Sequence, residues 1–548
     1  MSADSKAQAP PEVVSTIREL LAAGRLAEAR DVCAAASETY SDYELYELLG
    51  YISQQTQHYQ DAVKACGAAL GLGASGWSNH FVLGLSLSAL HRHGDAAQSF
   101  GRALTFAPER EEIAVRFLDE TFLHEGLDAS RSVFREIARR NESASLVKAW
   151  ARIAFEAGEL SEATATGALA CEQMTVRDWI EKNGGQVDLV GTVQQSPVVF
   201  PPVIGAEQES WSTSISSNQP YIAELTDVTI FYRSNIILTK DSAALDDVGC
   251  HPKFGKYVSH QSDSVVIGQR DSDLLLDAQA FPIDEIDTGI MLSGAASNEF
   301  GHWVCDFLPR MQVYEAHPDF SRLPVIVDDN MPASHYEYLS CVASNPQVRI
   351  SPGRALRCKK LIFAPPVTFF PVHMLSNDFR SDEIVSMLPS SRRYLKQRVE
   401  ECLGVRPSTG EKYYLSRRNM NWRRLSNDLE IGEFLAERGY TTINIETLSF
   451  VDQVRLFQSA SSIVAANGAA LLNVIFAEPS TGILVLTSPK LHDLPCFYGQ
   501  IVPLGYRPIF VCGESIGDPD EKHADYWIPL EALERGLGAL NELRVADV

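Results

Sequence analysis

The sequence predicts a multidomain chain in which an all-helical segment precedes an α/β region with parallel strands. Three observations lead there. A 34-residue period runs through the first third. After Trp179 the texture changes, and "GGQVDLVGTVQQSPVVFPPVIG" gathers Gly, Val and Pro. From Ile290 onward, strand-like and helix-like patterns alternate, which is the signature of a parallel sheet crossed by helices. At 548 residues the chain exceeds what one ordinary core accommodates.

The period is read from two segments, "YELYELLGYISQQTQHYQDAVKACGAAL" from Tyr43 and "WSNHFVLGLSLSALHRHGDAAQSFGRAL" from Trp77. Gly50 and Gly84 stand 34 apart, as do Leu49 and Leu83, Ala62 and Ala96, and Ala69 and Ala103. Small residues at fixed places let paired helices pack closely. A 34-residue period of this kind resembles the tetratricopeptide repeat. Looser echoes follow at Gly126 and Gly158. The expectation is a short helical solenoid, a fold that presents a surface to peptides or partner proteins. A linker with short strands follows, then the strand-like "VTIFYRSNIILTKDSAAL".

The last third parses into strand, helix, strand, helix, strand, helix, strand. The pieces are "KYYLSRR", "LEIGEFLAERGY", "TTINIE", "SFVDQVRLFQSA" with Ser449 as its cap, "SSIVAAN", "GAALLNVIFA" and "TGILVLTSP". Ligands bind such sheets beyond the carboxyl ends of the strands. Arg417, Arg418, Glu446 and Asn467-Gly468 each follow a strand directly and belong on that rim. A helix starting at Gly468 offers free N–H groups to an anion, and glycine permits close approach to the backbone. Guanidinium groups bind phosphate bidentately, and "SRRNMNWRR" concentrates four of them, Arg417, Arg418, Arg423 and Arg424. The site expected here takes a phosphate. Neither the dinucleotide fingerprint nor a Walker motif is present.

A second constellation lies in "SNEFGHWVCDFLPRM". His302 and Asp306 are four apart, so a helix places them on one face. A His–Asp pair of this kind suits general-base work.

Together "NEFGHWVCDFLPR", "YYLSRRNMNWRRLSNDLE" and "INIETLSFVDQVRLFQSASSIVAANGAALLNVIFA" resemble glycosyltransferase family 61, over roughly Val198 to Pro529. The resemblance implies a GT-B fold, two Rossmann-like halves facing a cleft, with the donor held by the C-terminal half. It implies an inverting transfer without metal, from a nucleotide-sugar, UDP-linked by expectation, to an acceptor hydroxyl. Arg417 and Arg418 match the family's arginine pair near the donor phosphates. Asn427 and Glu430 match its acidic stretch, with Asp428 in place of the first Glu. Asn467-Gly468-Ala469 matches its His-Gly-Ala loop, with Asn467 for the common His and Ala470 for the next Gly. Asp306 matches the acidic residue of the first block and is the expected base, with His302 orienting it or serving in its place. Donor-binding residues are thus expected at Arg417, Arg418, Arg424, Asn427, Glu430, Glu446, Asn467, Gly468 and Ala469. No metal ligands are expected: "DSD" at Asp271 and "DPD" at Asp518 resemble metal-binding triplets of other transferases but lack a strand in the right context. The expected domains are 11–175 for the TPR-like helical repeats, 176–220 for the linker and short strands, 221–405 for the acceptor-side half of the GT-B pair, and 406–548 for its donor-binding half.

Composition narrows the partners. The net charge is -24, with 45% hydrophobic and 22% charged residues, as in a soluble globular protein. Such an acidic surface disfavours nucleic acid and anionic lipid. "MSADSKAQAPPEV" has neither the basic nor the apolar part of a signal peptide. No apolar run reaches the roughly 18 residues of a membrane span. The ten cysteines form no CxxC pair, so neither a zinc site nor a disulfide framework is expected, and the cytoplasm is the expected compartment. Two functions follow. One is a glycosyltransferase whose repeats recruit an acceptor protein, a glycan or an assembly partner for a surface polysaccharide. The other is a non-catalytic repeat scaffold with a degenerate nucleotide-sugar domain.

Overall fold

The computed structural model describes residues 7–23, 25–140, 143–200, 202–206, 210–260, 262–370, 384–417, 424–489, 499–516 and 524–546. Arg418 and Arg423 lie outside the described residues, as does the Asp518 triplet. The chain divides into two compact units, one of Met1–Ala170 with Ile267–Gln279, the other of Cys171–Val266 with Ala280–Val548.

The first unit is built from antiparallel helix pairs. Tyr43–Gln55 pairs with Tyr59–Gly71, and Trp77–Ala89 with His93–Phe106, so both helices recur 34 residues on. The glycines of the repeat show why the period holds. A Cβ on Gly50 would stand 2.6 Å from Cys66 Sγ, and one on Gly84 would stand 2.7 Å from the Phe100 ring. Each glycine therefore seats the residue sixteen places later on the partner helix, at equivalent positions of the two repeats. Ala62, Ala69, Ala96 and Ala103 fill the same seams and are wholly buried. Helix pairs on either side extend the array, from Pro11–Ala22 to Leu160–Thr164. Asp42 caps one helix by accepting from the Glu44 N–H at 2.9 Å, and Ser143 caps another.

Residues 267–279 join this unit, far in sequence from the helices they meet. Leu275 is buried in the core of Phe155, Ala154 and Leu118. Arg270 Nη1 donates to the Phe155 carbonyl at 3.2 Å, and Lys148 pairs with Asp277 at 2.6 Å. The Asp271 triplet sits here, at the turn between Val266–Arg270 and Asp273–Leu276, with Asp271 in the left-handed region at φ 51°.

The second unit contains two large sheets and two small two-stranded ones. Four strands of the first are parallel: β1 (Ile283–Met291), β2 (Val325–Asp328), β3 (Gln347–Ile350) and β4 (Ala355–Phe363), in spatial order β3-β2-β1-β4. Tyr221–Phe231 pairs antiparallel to β4 and continues the sheet outward. The second sheet holds β5 (Glu411–Leu415), β6 (Thr441–Ile443), β7 (Ala460–Ala466), β8 (Gly482–Thr487) and β9 (Ile509–Cys512), all parallel, in order β6-β5-β7-β8-β9. The short strand Val203–Ile204 adds to β9.

Both faces of the second sheet are covered. Ile463 and Val485 pack with Phe450, Val454 and Phe457 of helix Phe450–Ser459. Their neighbours Val464 and Leu484 face the other way, onto Ile431, Leu435, Leu533 and Leu537. Strand residues alternate between two apolar layers, so the strands read as continuous apolar runs rather than as alternating ones. Ser449 caps its helix as expected, accepting from Asp452 N–H at 3.1 Å. The segment after β7 departs from expectation. Ala469–Phe476 is a 3-10 helix and not an α-helix. The reason lies outside the segment: Arg392 Nη2 takes the Leu472 carbonyl at 2.7 Å, and Asn473 Nδ2 is drawn to Gln453 at 2.9 Å.

Candidate active site

Both strand orders reverse direction once, and each reversal opens a crevice beyond the carboxyl ends of two strands. In the first sheet it lies between β1 and β4, in the second between β5 and β7.

The β1–β4 crevice is organised by Asp328, the last residue of β2. Its carboxylate accepts from Ser293 Oγ at 2.8 Å, Gly294 N–H at 3.0 Å, Ser297 Oγ at 2.7 Å and Arg233 N–H at 2.7 Å. This fixes the loop after β1. A Cβ on Gly294 would stand 2.6 Å from the Phe307 ring, so glycine there lets the next helix dock. That helix runs as Phe300–His302 and then as a π turn, Trp303–Phe307, in which Leu308 N–H reaches back to the Trp303 carbonyl at 2.9 Å. Single π turns recur at functional sites because they re-aim side chains.

His302 and Asp306 face each other across this turn. Nδ1 of His302 lies 2.7 Å from Asp306 Oδ2, and both residues are buried. Phe370, from the loop after β4, stacks on the imidazole at 4.4 Å. The buried Arg310 donates from Nε to the Asp306 carbonyl at 2.9 Å. Burial pushes the Asp306 carboxyl above the usual carboxylate range, and the adjoining His302 opposes the rise. The pair is ordered inward to outward. Asp306 is enclosed, while His302 Nε2 points toward the exposed Glu299, 3.9 Å away. The sequence had signalled His302 and Asp306 by their spacing; it carried no sign that Arg310 and Asp328 are buried behind them.

The β5–β7 crevice is anchored by Asp428. Its carboxylate accepts from Tyr414 OH at 2.6 Å, Ser416 Oγ at 2.7 Å and Arg417 N–H at 3.3 Å. These bonds fix the chain as it leaves β5. Arg417 then reaches across the crevice and donates from Nη1 to the Asn467 carbonyl at 2.9 Å. A Cβ on Gly468 would stand 2.1 Å from that Nη1. Gly468 itself is extended, with φ -174°, so backbone conformation does not demand glycine. The close approach does, and the group that approaches is Arg417. The Asn467 side chain donates from Nδ2 to Thr487 Oγ1 at 3.4 Å.

The remaining expected donor residues are placed less centrally. Arg424 is held by Asp525 at 2.6 and 2.9 Å. Asn427 exchanges hydrogen bonds with the backbone of Ile528 and donates to Glu430 at 3.0 Å. Glu446 is exposed on the turn after β6.

The two crevices meet. A Cβ on Gly301 would lie 3.3 Å from the Ala469 Cβ, so the helix that carries His302 starts against the loop that carries Gly468. Arg392 ties them from behind. It is 1% exposed and donates to the carbonyls of Val304 at 3.2 Å and Leu472 at 2.7 Å.

A family model described as Glycosyltransferase 61 matches residues 300–484. That span lies in the second unit and contains His302, Asp306, Arg417, Asp428, Asn467 and Gly468, so these residues fall within a match to the glycosyltransferase 61 domain. No curated protein matches the chain. Among solved structures, the chain is similar to YrrB, described as a TPR protein with an unusual peptide-binding site, at TM-score 0.26 and 18% identity over 28% of this chain and 80% of that one. It is similar to a tetratricopeptide repeat protein from Parabacteroides merdae at TM-score 0.26 and 18% identity, over 28% of this chain and 62% of that one. It is also similar to a mutant O-GlcNAc transferase of Thermobaculum terrenum at TM-score 0.21 and 20% identity, over 24% of this chain and 25% of that one. Among the described residues no helix is long and apolar enough to cross a membrane.

Proposed function

We propose that the second unit is an inverting glycosyltransferase of GT-B type, working without metal on a nucleotide-sugar, UDP-linked in our reading. The observation that carries this is the meeting of the two crevices at Gly301 and Ala469. It sets a His–Asp pair opposite an arginine held over a glycine loop, within a matched glycosyltransferase 61 span.

In this reading the roles divide between the two crevices. The diphosphate of the donor lies at Arg417 and the start of the Ala469–Phe476 helix, where a fixed cation and free N–H groups offset the charge that develops as the sugar–phosphate bond breaks. The acceptor hydroxyl attacks the anomeric carbon from the opposite face. His302 takes its proton at Nε2, the outward nitrogen. Asp306, enclosed and bound to Nδ1, fixes the ring and stabilises the imidazolium that forms. Asp306 thus acts through His302 rather than on the substrate. The helical repeats recruit the acceptor or a partner protein.

Full-length protein assayed with UDP-, GDP- and CMP-linked sugars, for donor hydrolysis and transfer, tests the reading. Turnover of one donor that is lost in Arg417→Ala is the expected result. Absence of both turnover and nucleotide binding across the panel would favour the scaffold, the reading to which Asn467 and Ala470 lend support.

A further inference from the structure

A second cavity, of about 630 Å³, opens in the same unit among Thr175, Arg177, Ser217, Asn218, Tyr221, Asp247 and Lys253. It reaches Pro365, in the loop after β4 that also carries Phe370 to His302.

Hydroxyl and amide side chains share the lining with two acids, Asp178 and Asp247, and two cations, Arg177 and Lys253, and several are held in place by their own bonds. Asn218 donates to the Pro366 carbonyl at 2.6 Å and Ser217 Oγ accepts from Gln194 N–H at 3.0 Å. Asp247 accepts from Val176 N–H at 2.7 Å and from Tyr221 OH. Lys253 donates to the Val385 carbonyl at 2.7 Å. Arg177 differs. Its guanidinium lies over the Tyr221 ring at 5.0 Å, and its Nε and Nη2 are buried with no acceptor among the described residues. Those two nitrogens form the edge of the fork that meets a carboxylate or phosphate side-on. A guanidinium enclosed without an acceptor is costly unless something supplies one.

We propose that this cavity is an acceptor subsite for an anionic saccharide, a sugar whose carboxylate or phosphate turns the Arg177 fork toward it. The hydroxyl and amide side chains meet the sugar's hydroxyl groups, and Asp247 accepts from them. The volume falls within the range of small-molecule sites. The inference rests on the transferase reading above for the word acceptor, and on the cavity alone for the ligand.

The test is calorimetric binding to full-length protein without any nucleotide-sugar. Three probes serve: a hexuronic acid disaccharide, its carboxyl-reduced neutral counterpart, and a hexose 6-phosphate. The acidic disaccharide is expected to bind at least tenfold tighter than the neutral one. Arg177→Gln should weaken it by about tenfold to a hundredfold, and Arg177→Lys should fall between that variant and the wild type, keeping the charge but losing the fork. Preference for the phosphate keeps the anion site and identifies the group that fills it. Equal binding of acidic and neutral sugars, no binding of any probe at millimolar concentration, or an unchanged affinity in Arg177→Gln would overturn the proposal. If Arg177→Gln does not fold, the contrast between acidic and neutral sugars in the wild type still decides. Saccharide binding without donor turnover would reject the transferase reading alone; donor turnover without saccharide binding would reject the subsite alone.

Discussion

Replacing Asp306 by Asn tests the order of the proposed catalytic pair. The carboxylate lies 2.7 Å from His302 Nδ1, and both residues are buried. Two things are lost in the amide. The negative charge that stabilises the imidazolium is gone, and the amide can present N–H instead of C=O to Nδ1. In the second case Nε2 carries the hydrogen and cannot accept a proton. General-base catalysis contributes about 10²–10⁴ in rate, which is roughly 3–5 kcal/mol of barrier at about 1.4 kcal/mol per decade. We expect Asp306→Asn to lose that much kcat on the true acceptor, His302→Ala to lose at least as much, and the double variant to be no worse than His302→Ala, because the two groups act as one device. Affinity for nucleoside diphosphate, measured by calorimetry, should stay near wild type in all three. A wild-type rate in Asp306→Asn would refute the pairing. Losses that multiply in the double variant would refute the ordering, since each group would then act on its own.

Three further outcomes follow from the geometry. Gly468→Ala should evict Arg417 from the Asn467 carbonyl, because the new Cβ would stand 2.1 Å from a flexible side-chain end; we expect UDP affinity to fall about tenfold with the thermal midpoint little changed, and calorimetry beside a melt checks both. EDTA should leave UDP binding intact, because the proposed positive charges are protein groups, and strict dependence on Mg²⁺ or Mn²⁺ in a titration would count against this. Asp263 is enclosed, and burial pushes its carboxyl from 3.8 up to about 6. The folded state therefore keeps that proton to higher pH than the unfolded state does, so the group's contribution is full below about 4 and is lost as pH rises through about 6; relative to Asp263→Asn, the wild type should lose about 3 kcal/mol of stability between pH 4 and 7, and parallel denaturant titrations that stay a constant distance apart would reject the assignment.

Local signals were legible where local physics set them. The 34-residue period survives because Gly50 and Gly84 each admit a side chain sixteen residues later, a short-range demand written in two equivalent places. His302 and Asp306 were legible because four residues on a helical turn share a face. The β5 to β8 strands were legible as apolar runs between polar turns. What escaped depends on partners distant in the chain. The segment after β7 reads as an α-helix until Arg392, eighty residues earlier, claims the Leu472 carbonyl. Ile267–Gln279 reads as part of the α/β region and packs instead with Phe155 and Leu118. Arg310 is 4% exposed and donates to the Asp306 carbonyl, and nothing in its local sequence signals that burial. No window of sequence contains those facts.

The exchange of the family's common His for Asn467 is the strongest argument for a degenerate site, and the geometry weakens it. The Asn467 side chain donates to Thr487 Oγ1. What the position gives the crevice is backbone: its carbonyl receives Arg417 Nη1, and its N–H is fixed on the Leu486 carbonyl at 2.7 Å. Gly468 then provides the clearance that the arginine needs. A side-chain exchange that leaves the carbonyl in place leaves this arrangement in place as well. In the proposed mechanism the proton chemistry belongs to His302 and Asp306, so loss of a titratable group at residue 467 removes nothing that mechanism requires. Restoring the ring by Asn467→His should therefore change donor affinity and turnover by less than about threefold, well under the tenfold that a lost charge-assisted bond represents. A gain of a hundredfold or more in kcat on that one substitution would show that the chain had lost an acid it once used, and would move the balance to the scaffold.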